Sequence, residues 1–453
     1  MLISKFSHTY ERNGITAFIN SLRLNPVYLD SDVAKKLLAS IKEELPLSEA
    51  EIKAKQALLE AKYFVEHEEI DQKVLHKVRS QTGKPELKIA YFIVTDECNF
   101  DCTYCFIKRD MPADHVNTAM SKDTVVKCLD FFEKNLVCKA DDTDNSIIIY
   151  GGEPLLEINI ALFIAQSVTE RKEKKRLPEN LRVSLITNGS LLSKANAILL
   201  KNNDIAVSIS LDGDEVATNS CRHYCSGKGV YGDVLQAIAY CKEVGLDFSL
   251  SVTITESLLS NPKRSLDLLV KDIGVKGLGF NILMYDKDNN VLDDYPERAA
   301  RFILDAFTLF REQGIYEDRI MRKLDAFCER KIHLFDCAAA GGNQVVFSPD
   351  GSIGVCHGYL GTRNNFIANV NDIDKFDLKS NDVFLEWSRR SPINMKECLQ
   401  CAALGICGGG CPFNAEKENG SIWTLDSRFC AHSKLTLEWL IWDLYHKMNT
   451  TCP

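Results

Sequence analysis

Between residues 88 and 283 six short apolar runs recur, at 88–95, 146–150, 182–187, 205–211, 247–255 and 277–283, with helix-length segments between them. Runs that are apolar on both faces and joined by crossover helices imply a parallel sheet, and six repeats imply an α/β fold built on a partial (β/α)6 barrel of the TIM type. Such barrels gather their chemistry at the C-terminal ends of the strands. The polar motifs fall there. A three-cysteine stretch (TDECNFDCTYCF, 95–106) follows the first run, GGEP (151–154) the second and TNG (187–189) the third, while SLDG (210–213) closes the fourth.

Composition narrows the partners. A formal charge of -9, with 45% apolar and 26% charged residues, argues against a nucleic-acid binder that works through a basic surface. The one dense basic run, RKEKKR (171–176), reads as a solvated helix end. No run of eighteen or more apolar residues and no signal-peptide core is present, so a cytoplasmic protein without membrane contact is expected. Seventeen cysteines are many for such a chain. Ten of them stand at short ordered spacings, which favours metal binding over a disulfide scaffold.

Ahead of the barrel, residues 1–86 read as a small α+β domain. Two β-like runs (15–21 and 27–29) precede a helix carrying Val33, Leu37 and Ile41, and a second helix opens at the capping box Ser48–Glu51. A strand-like patch (YFVEHEEI) and a charged segment ending in QTGKPE complete it. A helical cap on the barrel is the alternative. The barrel is assigned to 87–325 and a cysteine-rich domain to 326–453.

Cys98, Cys102 and Cys105 are spaced C-x3-C-x2-C. Thiolates select iron–sulfur clusters or zinc. A [4Fe-4S] cube held by three of them keeps one iron open, as catalytic zinc keeps an open position, and the amine and carboxylate of S-adenosylmethionine suit that iron. With the barrel pattern, the stretch resembles the radical S-adenosylmethionine superfamily, whose signature is this spacing after strand one. The resemblance implies reductive cleavage to a 5'-deoxyadenosyl radical, fed by a flavodoxin- or ferredoxin-type electron donor.

The same resemblance implies cofactor contacts. Tyr104 matches the aromatic against the adenine, and Gly151, Gly152 and Glu153 match the turn that takes the methionine ammonium. Asn188 and Ser210 match polar contacts, Arg222 the residue gripping the carboxylate, and Leu278 in GLGFN a contact to the adenine. A plain strand-ending turn is the alternative for Thr187, Asn188, Ser210 and Asp212.

Seven later cysteines run Cys337, thirteen residues, Gly351, four residues, Cys356, then Cys398-x2-Cys401-x5-Cys407-x3-Cys411, eighteen residues and Cys430. This resembles the SPASM extension of peptide-modifying radical enzymes, which implies two auxiliary [4Fe-4S] clusters and three in all. The family's distribution gives Cys337, Cys356 and Cys411 to one, and Cys398, Cys401, Cys407 and Cys430 to the other. A zinc ribbon is the alternative for 398–411. These ten cysteines are one fewer than three cubes with a single open iron require. Either Cys328 closes the first auxiliary cluster or that cluster keeps an open iron, and the open arrangement is favoured.

Cys128, Cys138, Cys241 and Cys452 read as buried or idle thiols. Cys221 and Cys225 form a second C-x3-C near the barrel mouth, read as structural with acid donation or thiyl chemistry as the alternative. The resemblance as a whole implies a maturase that cross-links a ribosomally made precursor peptide, with a thioether favoured over a carbon–carbon bond; a leader peptide would add as a strand to the N-terminal domain. An anaerobic sulfatase maturase is one alternative, although that family has an aspartate where His357 stands. A non-catalytic iron–sulfur electron carrier is another.

Overall fold

The computed structural model describes residues 1–41, 45–137, 145–286, 291–373 and 376–450. At its N-terminus β1 (Leu2–Ile3), β2 (Ser7–Arg12), β3 (Ile15–Asn20) and β4 (Val27–Asp30) come first, and β5 (Phe64–Val65) returns to pair with β1. The antiparallel sheet β2-β3-β4 buries β3 almost completely. Helix Ser31–Ala39 follows, and Glu49–Glu60 starts at the expected capping box, where the Glu51 carboxylate accepts from the Ser48 amide at 2.6 Å. The sequence reading missed β2, and it missed that EEI opens helix Glu69–Arg79.

All six expected strands form: β6 (Ile89–Thr95), β7 (Ser146–Gly151), β8 (Arg182–Thr187), β9 (Ile205–Ser210), β10 (Phe248–Ile254) and β11 (Gly277–Ile282). They are parallel and adjacent in chain order. Ile147, Ile149, Leu185 and Ile209 are fully buried in the core beneath the helices, each stabilising the fold by about 1.5–3 kcal/mol. The sheet then exceeds the expectation at both ends. β12 (Tyr316–Glu317) extends it beside β11, while β13 (Gln344–Phe347) pairs parallel to β6 and continues into antiparallel β14 (Ser352–Gly354) and β15 (Phe366–Asn369). The cysteine-rich segment therefore grows out of the barrel's own sheet, and helix Asp318–Glu329 runs across position 325.

The last helix, Ser427–Thr450, ties the layers together. Trp439 meets Phe307 at 5.6 Å between ring centroids, and Arg311 pairs with Asp443 at 2.8 Å. On its other side Leu437, Leu440 and Trp442 share a core with Ala17 and Ile19 of β3, and Tyr28 donates to the Ile441 carbonyl at 2.6 Å. Among the described residues no helix is long and apolar enough to cross a membrane.

Candidate active site

The loop after β6 is built to present sulfur. The Phe100 amide points at Cys98 Sγ (3.4 Å) and the Lys108 amide at Cys105 Sγ (3.5 Å). Burial pushes the Cys98 thiol up to about 12 and the Cys102 thiol to about 11, and each is raised further by its neighbours in the set. Backbone bonds hold the loop against 221–225: Thr103 N to Cys221 O at 2.9 Å, Asp101 N to His223 O at 2.8 Å and Cys225 N to Asn99 O at 3.3 Å. The second C-x3-C thus braces the first through its main chain, and Cys225 is exposed.

Gly151 and Gly152 are glycines because two turns touch there. A Cβ on Gly151 would stand 2.2 Å from the Thr95 carbonyl oxygen, and one on Gly152 2.1 Å from that of Glu97. The close approach lets Gly152 and Glu153 donate their amides to those carbonyls at 2.9 and 2.8 Å. Glu153 is fully buried. Its carboxylate accepts from Thr187 Oγ1 (2.6 Å), the Asn188 amide (2.7 Å) and the Leu155 amide (3.0 Å). A carboxylate has about four acceptor positions, so one remains for a ligand. Burial pushes its carboxyl up to about 7 against these three donors.

Asn188 reaches back to the cysteine loop, donating to Asn99 Oδ1 at 2.9 Å and facing Cys98 Sγ at 3.9 Å. Asp212 was read as part of a turn; it is the anchor of the site. Fully buried, it takes the Arg222 guanidinium on both oxygens (2.7 and 3.2 Å), the Thr253 amide (2.9 Å) and the Tyr104 hydroxyl. Arg222 lies over the Tyr104 ring at 5.4 Å. A carboxylate closing a strand ten residues before an arginine was the available signal. Ser210 ends β9 with no side-chain hydrogen bond among the described residues.

Leu278 is buried on the face of β11 that also carries Phe280, which meets Phe302 edge-on and stacks on Phe310 of the covering helix Tyr295–Gln313. The opposite face, Gly277, Gly279 and Asn281, lines a cavity of about 310 Å³ with Ser208, Ser249 and Ser251. Opposite in character are the first two strands, which present Tyr91 and Tyr150 with ring centroids 6.2 Å apart. His357 stacks on Tyr91 at 4.7 Å, edges Tyr150 at 5.3 Å and lies 5.9 Å from Phe106. An aromatic bridge thus runs from the residue after Cys105 to the residue after Cys356. Burial lowers His357 to about 4, and its Nδ1 has no partner among the described residues.

The later cysteines fall into two neighbourhoods. Cys411 feels Cys337 and Cys356, and Cys356 feels Cys337; Cys430 feels Cys407, Cys398 and Cys401. Amides again point at sulfur, from Ala340 to Cys337 (3.5 Å), Gly358 to Cys356 (3.4 Å) and Asn414 to Cys411 (3.5 Å). Among the described residues no three Cys, His, Asp or Glu side chains stand close enough to share one ion. Thiolates that accept amide hydrogen bonds are the donor set that suits an iron–sulfur cube. Cys328 is exposed, in the field of Asp325, Lys447, Asp443 and Glu329. Cys128 and Cys241 are fully buried in helices, whereas Cys138 and Cys452 lie outside the described residues.

Residues 92–269 match the Radical SAM superfamily model. Among curated proteins, the chain is similar to the radical SAM cyclopropyl synthase TigE of Paramaledivibacter caminithermalis, 25% identical over 80% of this chain and 75% of that protein. It is also similar to a cysteine-type anaerobic sulfatase-maturating enzyme of Clostridium perfringens, 26% identical over 72% of this chain and 89% of the other. Among solved structures, Streptococcus suis SuiB bound to the precursor peptide SuiA superposes with a TM-score of 0.56 at 17% identity, over 94% of this chain and 99% of that one, and so shares its fold. The three-cysteine loop at the head of the partial β/α barrel lies within the residues that match this model, so the chain carries a radical SAM domain, of a family that uses a [4Fe-4S] cluster and S-adenosylmethionine.

Proposed function

We propose that this enzyme is a peptide maturase that installs a cross-link in a ribosomally made precursor. The observation that carries the reading is the gathering of seven C-terminal cysteines into two neighbourhoods, one of them joined to the barrel interior through His357 and Tyr91. When bound, S-adenosylmethionine and its cluster supply a 5'-deoxyadenosyl radical. Cys98, Cys102 and Cys105 would hold that cluster. Tyr104, Arg222 and Ser210 would orient the cofactor, and the Gly151–Glu153 turn would receive its ammonium end. Joining two groups of a peptide needs one hydrogen atom removed by the radical, one proton released from the second group and one further electron accepted, and accepting that electron is the use of a buried auxiliary cluster. Cys337, Cys356 and Cys411 would hold the first and Cys398, Cys401, Cys407 and Cys430 the second, with Cys328 left out.

The relatives support a macromolecular substrate: SuiB was solved with a precursor peptide, and sulfatase-maturating enzymes act on proteins by name. TigE is named for a cyclopropyl product, which gives carbon–carbon bond formation standing beside the thioether. Among the described residues the outer strands β2 and β4 each pair on one side only, an edge suited to strand addition by a leader segment. Residues 1–86 would then recognise the peptide, 87–325 generate the radical and 326–453 carry the auxiliary clusters.

The cavity beside β11 bears on where the peptide lies. Gly279 sits mid-strand, where glycine costs about 0.5–1 kcal/mol, yet an added Cβ would meet nothing within 4 Å and its φ is ordinary. The space is kept for something outside the chain. Gly279→Val is expected to preserve iron content and thermal stability while cutting peptide turnover at least tenfold, measured by mass spectrometry; wild-type turnover would remove the peptide from this wall. The function itself is tested by co-producing the enzyme without oxygen with short cysteine- or aromatic-rich peptides encoded beside it. Loss of a hydrogen pair per link supports cross-linking. A formylglycine product would favour the sulfatase maturase.

A further inference from the structure

Arg390 is fully buried, yet no acidic side chain pairs with it among the described residues. Its donors go to main-chain carbonyls instead: Nε to Ile422 (2.5 Å), Nη1 to Gly409 and to Gly410 (3.3 Å), and Nη2 to Thr424 (3.2 Å). Gly408, Gly409 and Gly410 are the whole link between Cys407 of one set and Cys411 of the other. All three have φ between +69° and +87°, and a Cβ on Gly409 would stand 3.1 Å from Arg390 Nη1. The guanidinium therefore grips the glycine turn that joins the two neighbourhoods.

Neutral donors would satisfy those carbonyls equally well. Burying a full charge costs several kcal/mol unless a negative charge compensates it. Asp426 supplies one negative charge to Arg390's field while accepting from the Cys411 amide (2.9 Å) and Asn414 Nδ2 (2.7 Å), but it forms no ion pair with Arg390. Cys337, of the first set, and Cys398, of the second, also lie in Arg390's field, and each would be anionic as a cluster-bound thiolate.

We propose that Arg390 is the shared buried counter-ion of the two auxiliary clusters, positioning the turn between them and raising both reduction potentials. The proposal rests on the reading that these cysteine sets bind clusters. Reduction adds one electron and no bonded proton to a cube, so its negative charge grows by one and a fixed cation favours the reduced form.

The test uses the full chain with Cys98, Cys102 and Cys105 all changed to alanine, so that only auxiliary signals contribute, followed by potentiometric titration with electron paramagnetic resonance. That background is expected to hold about eight irons; a chain without iron would sink the cluster reading itself. On it, Arg390→Met with unchanged iron should shift both couples at least tenfold toward the oxidised form, about 59 mV more negative for a one-electron couple. Arg390→Lys should recover most of that shift while losing thermal stability, because the charge stays and the carbonyl fork goes. Unmoved potentials in Arg390→Met would overturn the proposal. If that variant does not hold its iron, Arg390→Lys decides alone: potentials near those of the background chain support the counter-ion, and a full negative shift despite the retained charge overturns it.

Discussion

Asp212→Ala is expected to destabilise the fold by about 3–5 kcal/mol, the cost of stranding one partner of a buried ion pair. The carboxylate has no exposed surface and is the common acceptor for Arg222, Tyr104 and the Thr253 amide. Removing it leaves a guanidinium, a phenol and an amide without their acceptor in the barrel mouth. Asp212→Asn should lose less, because its amide oxygen still accepts from Thr253. Chemical denaturation under anaerobic conditions reads both. Added S-adenosylmethionine should restore part of the loss in Asp212→Ala, since its carboxylate gives Arg222 a new partner. A loss below about 1 kcal/mol would show that the pair does not anchor the site.

Changing Cys98, Cys102 and Cys105 together to alanine is expected to abolish 5'-deoxyadenosine formation and to lower iron by about four atoms per chain, leaving about eight. The reason is topological. The three thiols share one loop after β6, whereas the other seven lie in segments after residue 336. The two populations of iron should therefore be separable. A variant that lost all its iron would contradict the reading of the seven later cysteines as ligands of auxiliary clusters.

The barrel was legible because its strands are apolar on both faces and carry their motifs at one end. β2 was not, since SHTYER is polar and half-exposed and is defined only by pairing with β3. β13 was hidden for a different reason: four residues become a barrel strand only through their long-range partner β6. In the site, the motifs named the loops but not their internal partners. Glu153 spends three acceptor positions on Thr187, Asn188 and Leu155, and Arg222 is held by Asp212; neither bond follows from a motif. The orientation of Leu278 was within reach, because alternation along GLGFNI sets glycines and asparagine on one face and Leu278, Phe280 and Ile282 on the other. Arg390 left no trace in the sequence. Its partners are carbonyls, which every residue has.

Cys98, Cys102 and Cys105 in the loop after β6 would hold the iron–sulfur cluster that supplies reductive cleavage of S-adenosylmethionine. Chromatographic measurement of 5'-deoxyadenosine, after reducing the anaerobically purified wild-type chain with S-adenosylmethionine, tests this central claim most directly. The account predicts its formation by protein carrying about twelve irons, and faster formation when the cognate peptide is present. Fully loaded protein that left the cofactor intact, with peptide supplied, would contradict it.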